Sequence, residues 1–252
     1  MKILEERLTL YSSYLLREVV VDCYFMEGMA GPVQLLLLND GQQAPLLDLP
    51  GKLAKRPADR PLLIAAIHAG PQRLQEYGTA RVVSEKGQGL KATAYTRCVV
   101  REILPFLAAH FTTLQFDQKN FAGFSLGALS ALDIVWQHPD VFRAAGVFSG
   151  ALWWRNHALG EGYSDAKHRI IHQLVQQKGF QPGLRFFFEC GTDDEKADRN
   201  GNGVIDMIDD TRDLISVLKG LGYTDIKYLE IKGGRHDEAT WSKALVPFLE
   251  WL

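Results

Sequence analysis

Ser125 stands between two glycines in "GFSLG", residues 123 to 127, where the apolar run "KNFAGF" stops and a helical pattern begins. A serine hydroxyl becomes a nucleophile only when a base takes its proton and a third group orients that base. Exposing it between a strand and a helix demands a turn so sharp that only residues without side chains fit at Gly123 and Gly127. The bare pattern is weak in a chain with 23 glycines among 252 residues. The strand before it and the helix after it give it force. Of the seven histidines, His236 in "GGRHDEATW" follows the last strand-like run and opens the last helical one. His68 also ends a strand-like run but precedes the serine, and the chain order serine, acid, histidine selects His236. His110, His138, His157, His168 and His172 fall on helical stretches or their ends, where solvent exposure is expected. The acid should follow a strand lying between serine and histidine. "FFFECGTDDE" ends such a strand and offers Asp193, Asp194 and Glu195, with Asp198 just beyond. Asp194 is favoured and the others stay open.

A second constellation follows at once. "DRNGNGVIDMID", 198 to 209, sets side chains at Asp198, Asn200, Asn202, Asp206 and Asp209, with the Val204 carbonyl at the seventh place and Gly203 at the sixth. This is the spacing of an EF-hand calcium loop. The expectation is one structural Ca²⁺ tying the acid's loop to the helix behind it, with no part in the chemistry. The competing reading is an Asn/Gly turn followed by an aspartate-capped helix.

The elements that must position these residues alternate along the chain. "REVVVDCYFM" (17 to 26), "VQLLLLND" (33 to 40), "PLLIAAIH" (61 to 68), "KNFAGF" (119 to 124), "AAGVFSG" (144 to 150), "LRFFFECG" (184 to 191) and "DIKYLEIKGG" (225 to 234) are short apolar runs with turn-forming residues nearby, and they read as strands. Helical patterns at 91 to 110, 128 to 137, 165 to 178, 208 to 220 and 237 to 250 separate most of the later ones. Strand, helix, strand in series means parallel pairing with helices on both faces. "LTLYSS" and "REVVVDCYFM" have no helix between them and should form an antiparallel edge hairpin. The fold class expected is therefore α/β, a mostly parallel sheet of about eight strands, in one domain over residues 1 to 252.

Composition agrees with one large α/β domain. With 46% hydrophobic and 23% charged residues, the chain can bury a large core, and a net charge of −2 leaves no electrostatic footprint for nucleic acid or an anionic membrane. The longest apolar run, "VQLLLL", is far too short to span a bilayer, and the first residues show no signal-peptide pattern. Cys23, Cys98 and Cys190 have no metal-ligand spacing and read as buried reduced thiols. A cytoplasmic protein acting on a small molecule is expected, without nucleic-acid or membrane partners and without an organic cofactor.

"LLLLNDGQ", "HAGPQRLQEY", "YTRCVVREILPFL", "AGFSLGALSAL", "GVFSGALWW", "ECGTDDE" and "GGRHDEATW", in this order, resemble the esterase family that includes enterochelin esterases, esterase D and related feruloyl and S-formylglutathione hydrolases. The likeness runs from about Tyr11 to the end. It implies the α/β-hydrolase fold, a catalytic triad of Ser125, Asp194 and His236, and an oxyanion hole made by the amides of Leu126 and Gln42. It implies a carboxylic ester hydrolase working through an acyl-enzyme. A thioesterase, an acyltransferase or a catalytically silent binding protein on the same fold are the alternatives. Trp153 and Trp154, after the sixth strand, and His68 are placed as substrate-facing, with core packing equally open for one of the two tryptophans. Arg73, Glu76 and Tyr77 match a recurring family stretch and are expected to form an ion pair that holds their loop. Enterochelin esterases carry a further N-terminal domain, which is not expected within these 252 residues.

Overall fold

The computed structural model describes residues 2–57 and 59–252. Eight strands form one sheet: β1 (Ile3–Ser12), β2 (Arg17–Met26), β3 (Gly31–Asn39), β4 (Leu62–Ile67), β5 (Leu114–Phe124), β6 (Ala144–Phe148), β7 (Arg185–Gly191) and β8 (Ile226–Ile231), in the order β1-β2-β4-β3-β5-β6-β7-β8. β1 with β2 and β2 with β4 are antiparallel; every other pair is parallel. This is the α/β-hydrolase fold, with the edge hairpin in place. The central strands are continuous apolar runs because both faces are covered. Along β3, Leu35 and Leu37 enter one core, while Leu36 and Leu38 enter the other.

The helices are α1 (Leu49–Ala54), α2 (Arg73–Glu76), α3 (Ala92–Cys98), α4 (Leu104–His110), α5 (Leu126–Gln137), α6 (Asp165–His168), α7 (Ile170–Lys178), α8 (Asp206–Gly220) and α9 (Glu238–Trp251). One core packs residues of β3 and β5 against α3, α4, α5, α7 and α8. The other packs Phe124, Phe148 and Phe187 against Trp241, Leu245 and Phe248 of α9 and Leu49 and Leu53 of α1. Two helical stretches differ from the sequence reading. The run 91 to 110 is split by a π-turn at Val99–Ile103, since Pro105 has no N–H for the carbonyl four residues back. The run 165 to 178 breaks at Arg169, which is extended (φ −74°, ψ 109°) while its guanidinium reaches Asp210 at 2.5 Å and Asp213 at 2.8 Å on α8. α1 and α2 are too short to carry a periodic signal. Among the described residues no helix is long and apolar enough to cross a membrane. Cys23, Cys98 and Cys190 are buried and unpaired.

Candidate active site

Ser125 occupies the turn between β5 and α5 with φ 53° and ψ −124°, a region that a side-chain-bearing residue enters only under constraint. Its neighbours explain the glycines. A Cβ on Gly123 would lie 2.5 Å from the Gly127 carbonyl oxygen, and one on Gly127 would lie 2.5 Å from Asp40 Oδ2. The Ser125 amide donates to the Phe148 carbonyl (2.9 Å) and the Ala151 amide to the Ser125 carbonyl (3.1 Å), so the end of β6 pins the elbow. The Leu126 amide opens α5. The Gln42 amide lies just past Asp40, where β3 turns through a left-handed residue (φ 60°) into a 3₁₀ turn. Among the described residues neither amide has an acceptor. Gly41 lets that turn lie against β4, since a Cβ there would sit 2.4 Å from the Ala66 carbonyl oxygen.

Asp194 and His236 are brought together by two loops in backbone contact. A Cβ on Gly191 would lie 2.3 Å from the Gly234 carbonyl oxygen, and the Asp193 amide donates to that same carbonyl at 2.8 Å. The loop's turn exposes Asp193 and buries Asp194. Asp194 Oδ2 accepts the Gly191 amide at 3.0 Å; its Oδ1 is buried without a hydrogen-bond partner and lies 3.9 Å from His236 Nδ1. Burial raises the Asp194 pKa. Burial also lowers that of His236, with Arg73 adding to the effect and Asp194 opposing it. Glu195 faces away, taking the Met207 amide at 2.7 Å.

A family model described as "Putative esterase" matches residues 31–252. The chain belongs to this esterase family. The protein is thus an ester-hydrolysing enzyme. The esterase is 24% identical over 201 residues to the protein YjcH of Bacillus subtilis, a match covering 79% of this chain and 73% of that one. Among solved structures, the enterobactin esterase FES of Shigella flexneri superposes with a TM-score of 0.72 at 18% identity over 98% of this chain. The esterase spans 57% of that enzyme's length. Siderophore hydrolase EstA of Aspergillus nidulans gives a TM-score of 0.72 at 14% identity, over 99% of this chain and 94% of its own.

Other expectations about the esterase need correction. Trp154 does not face a substrate: it is fully buried, its indole against Gly78 and Gly89, whereas Trp153 is half-buried beneath the Arg155 guanidinium. Arg73 does not pair with Glu76. Its guanidinium grips Asp40 in a fork (2.6 and 2.8 Å) and lies over the Tyr77 ring, while Glu76 takes Arg17 (2.9 and 2.6 Å). Asp40 is buried, so this fork braces the turn that presents Gln42. His68 is half-buried, with Nε2 2.7 Å from Asp22. His172 is buried, not exposed; it pairs with the Asp210 carbonyl at 3.0 Å, and burial pushes its pKa down to about 3.

The residues of the 198 to 209 loop do not fit a calcium cage as they are arranged. Asp198 accepts the amides of Gly201, Asn202 and Gly203 at 2.8 to 3.2 Å, and Asn200 and Asn202 each accept one amide, of Asn202 and Val204. Both turn their NH₂ groups to Asp209, at 3.0 and 2.7 Å, where an ion would need oxygens. Asp206 is held by the Arg199 amide at 2.9 Å and faces its guanidinium at 3.2 Å, a cation that a dication would repel. Among the described residues no three His, Cys, Asp or Glu side chains gather as a metal site. The tie expected of calcium is made by Arg199, which also holds both oxygens of Asp165 at 2.9 Å and reaches Asp210 on α8. The esterase should therefore melt at the same temperature in millimolar Ca²⁺ and in EDTA. A ligand of the native state alone would raise that temperature, and a calcium-dependent rise would restore the metal reading for Asp198, Asn200, Asn202, Val204, Asp206 and Asp209.

Proposed function

We propose that the esterase hydrolyses carboxylic esters through an acyl-enzyme on Ser125, with His236 as general base and Asp194 as its orienting acid. The observation that carries this reading is the buried, unpartnered Asp194 Oδ1 3.9 Å from His236 Nδ1. A desolvated carboxylate oxygen without a partner is costly unless a donor completes it. The imidazole Nδ1–H is the donor at hand, and such bonds often close only when substrate binds. His236 Nε2 takes the Ser125 proton as Oγ bonds to the ester carbonyl carbon. The oxyanion is met by the amides of Gln42 and Leu126, two donors aimed where charge develops. The carbon–oxygen bond to the alcohol then breaks, and His236 returns the proton to the leaving oxygen. Water repeats the sequence and releases the carboxylic acid and free Ser125. Asp194 stays ionised throughout and steadies the imidazolium. Trp153 and His68 line the substrate side in this reading. Hydrolysis of p-nitrophenyl acetate, feruloyl, acetyl-sugar and siderophore esters, set against acyl-thioesters, tests it. Turnover of thioesters alone would overturn the assignment.

The pH dependence follows from the histidine. Protonated His236 cannot act as base, so kcat/KM should fall on acidification. Because burial and Arg73 push its pKa down, the midpoint should lie below the ordinary histidine value of about 6.5. A midpoint above 7, or a flat profile from pH 5 to 9, would contradict this role.

A further inference from the structure

We propose that the cavity between α1 and the end of α9 is a second binding site, apart from the serine elbow, that takes a small carboxylate with an apolar tail. The segment "GKLAKRPADRP", residues 51 to 61, carries four cations, Lys52, Lys55, Arg56 and Arg60, against one acid, Asp59. Pro57 and Pro61 cannot continue a helix. The chain therefore leaves α1 at Ala54 and passes the last turn of α9, where Arg56 and Arg60 reach the Leu249 and Glu250 carbonyls, before it enters β4. That passage encloses a cavity of about 340 Å³, at the small end of the range of about 300 to 1,000 Å³ usual for small-molecule sites. Pro57, Val246 and Leu249 give it an apolar wall, all four cations line it, and Glu250 is the one acid among the described residues that do. α9 opens two residues past His236 and meets the cavity at its other end, so on the order of 15 Å of helix lies between the two sites.

The cations on that wall lack a counterion. Arg56 is buried, and its guanidinium meets only neutral oxygens: the Arg60 carbonyl at 2.8 Å, the Leu249 carbonyl, and Gln34 Oε1 at 3.2 Å. Arg60 donates to the Glu250 carbonyl at 3.4 Å, and Lys52 donates to the Leu47 carbonyl and to the Ser242 hydroxyl, the latter at 2.7 Å. Among the described residues none of the four forms an ion pair with a carboxylate. Capping the last carbonyls of α9 accounts for Arg56 and Arg60. It does not account for Lys55 and Val246, both exposed, nor for a cavity walled by cations and hydrocarbon together. Burial, with Arg60 adding to it, pushes the Arg56 pKa down to about 10, and burial lowers that of Lys52. An anion seated between them would oppose both shifts. A carboxylate suits the guanidinium groups, and an apolar tail would cover Val246 and Leu249, which a bare inorganic anion would leave in water. The site does not depend on the triad reading.

The test is calorimetric titration with octanoate, set against octanol, octylamine and acetate, with thermal melts of every protein to confirm folding. Octanoate should bind the wild-type protein saturably and raise its melting temperature, as a ligand of the native state does. Octanol lacks the head and acetate the tail, so each should bind at least about tenfold more weakly, the scale of one lost charged hydrogen bond. Octylamine should not bind. The double variant Lys55→Ala, Arg60→Ala removes two exposed cations and leaves Arg56 to cap α9; it should weaken octanoate by about tenfold or more. Val246→Asp, which sets a carboxylate on the exposed apolar wall, should abolish binding. Ester hydrolysis without octanoate should stay at the wild-type rate in both variants. Octanoate binding that survives in both variants would place the ligand elsewhere, and equal binding of octanol would reduce the cavity to a hydrocarbon groove; either result overturns the proposal. So would a protein that takes no octanoate at millimolar concentration, whether or not it binds phosphatidylglycerol vesicles, binding to which would assign the cations to a membrane surface instead.

Discussion

Ser125→Ala is expected to lower kcat by roughly a million-fold, the scale seen when the nucleophile of a serine hydrolase is removed, while leaving the melting temperature within a degree or two. The hydroxyl sits on a partly exposed turn, and the elbow's backbone bonds do not involve it. Stability could even rise slightly in Ser125→Gly, because φ 53° with ψ −124° is easier for a residue without a Cβ. Steady-state hydrolysis of an aryl acetate checks the first point and calorimetry the second. Retention of more than a hundredth of the activity would mean that another group carries the acyl intermediate.

Asp194→Asn should be the next most damaging change, lowering kcat by about 10⁴-fold, as in the worked serine-protease case, because the imidazole then rests in the wrong tautomer. Asp193→Asn should be nearly silent. The two residues are adjacent and chemically identical, and what separates them is burial: Asp193 is exposed and Asp194's side chain is closed off from solvent beside His236. Kinetics of both variants on the same ester decide it. A crippled Asp193→Asn beside an active Asp194→Asn would reverse the assignment.

That pair shows where reading the sequence reaches its limit. The strands were legible because runs such as "LLLL" and "FFF" admit few other fates in a sheet covered on both faces. The elbow was legible because glycines two residues either side of a serine mark a close approach, and the structure shows both abutting backbone or a carboxylate. Asp194 was favoured, but its burial depends on how its loop folds back on Gly234, a contact forty residues away that leaves no local trace. The same holds for Arg73, whose partner is Asp40 just past the end of β3 and not the glutamate three residues on, and for Trp154, which goes into the core while its neighbour Trp153 stays half-exposed. The calcium reading finds no support in the structure for a related reason. Asp and Asn at alternate positions suit an ion and a series of side-chain-to-backbone turns equally well, and the choice was made by Arg199, which sits inside the motif at a position that its spacing ignores.

The central claim is that Ser125 is the residue acylated during turnover, and covalent labelling tests it most directly. The wild-type esterase is treated with a fluorophosphonate and the adduct is located by mass spectrometry of its peptides. The account predicts one equivalent of label on Ser125, loss of activity in step with labelling, and no label in Ser125→Ala. Label on another residue, or active protein that turns over esters and leaves Ser125 unmodified, would contradict it.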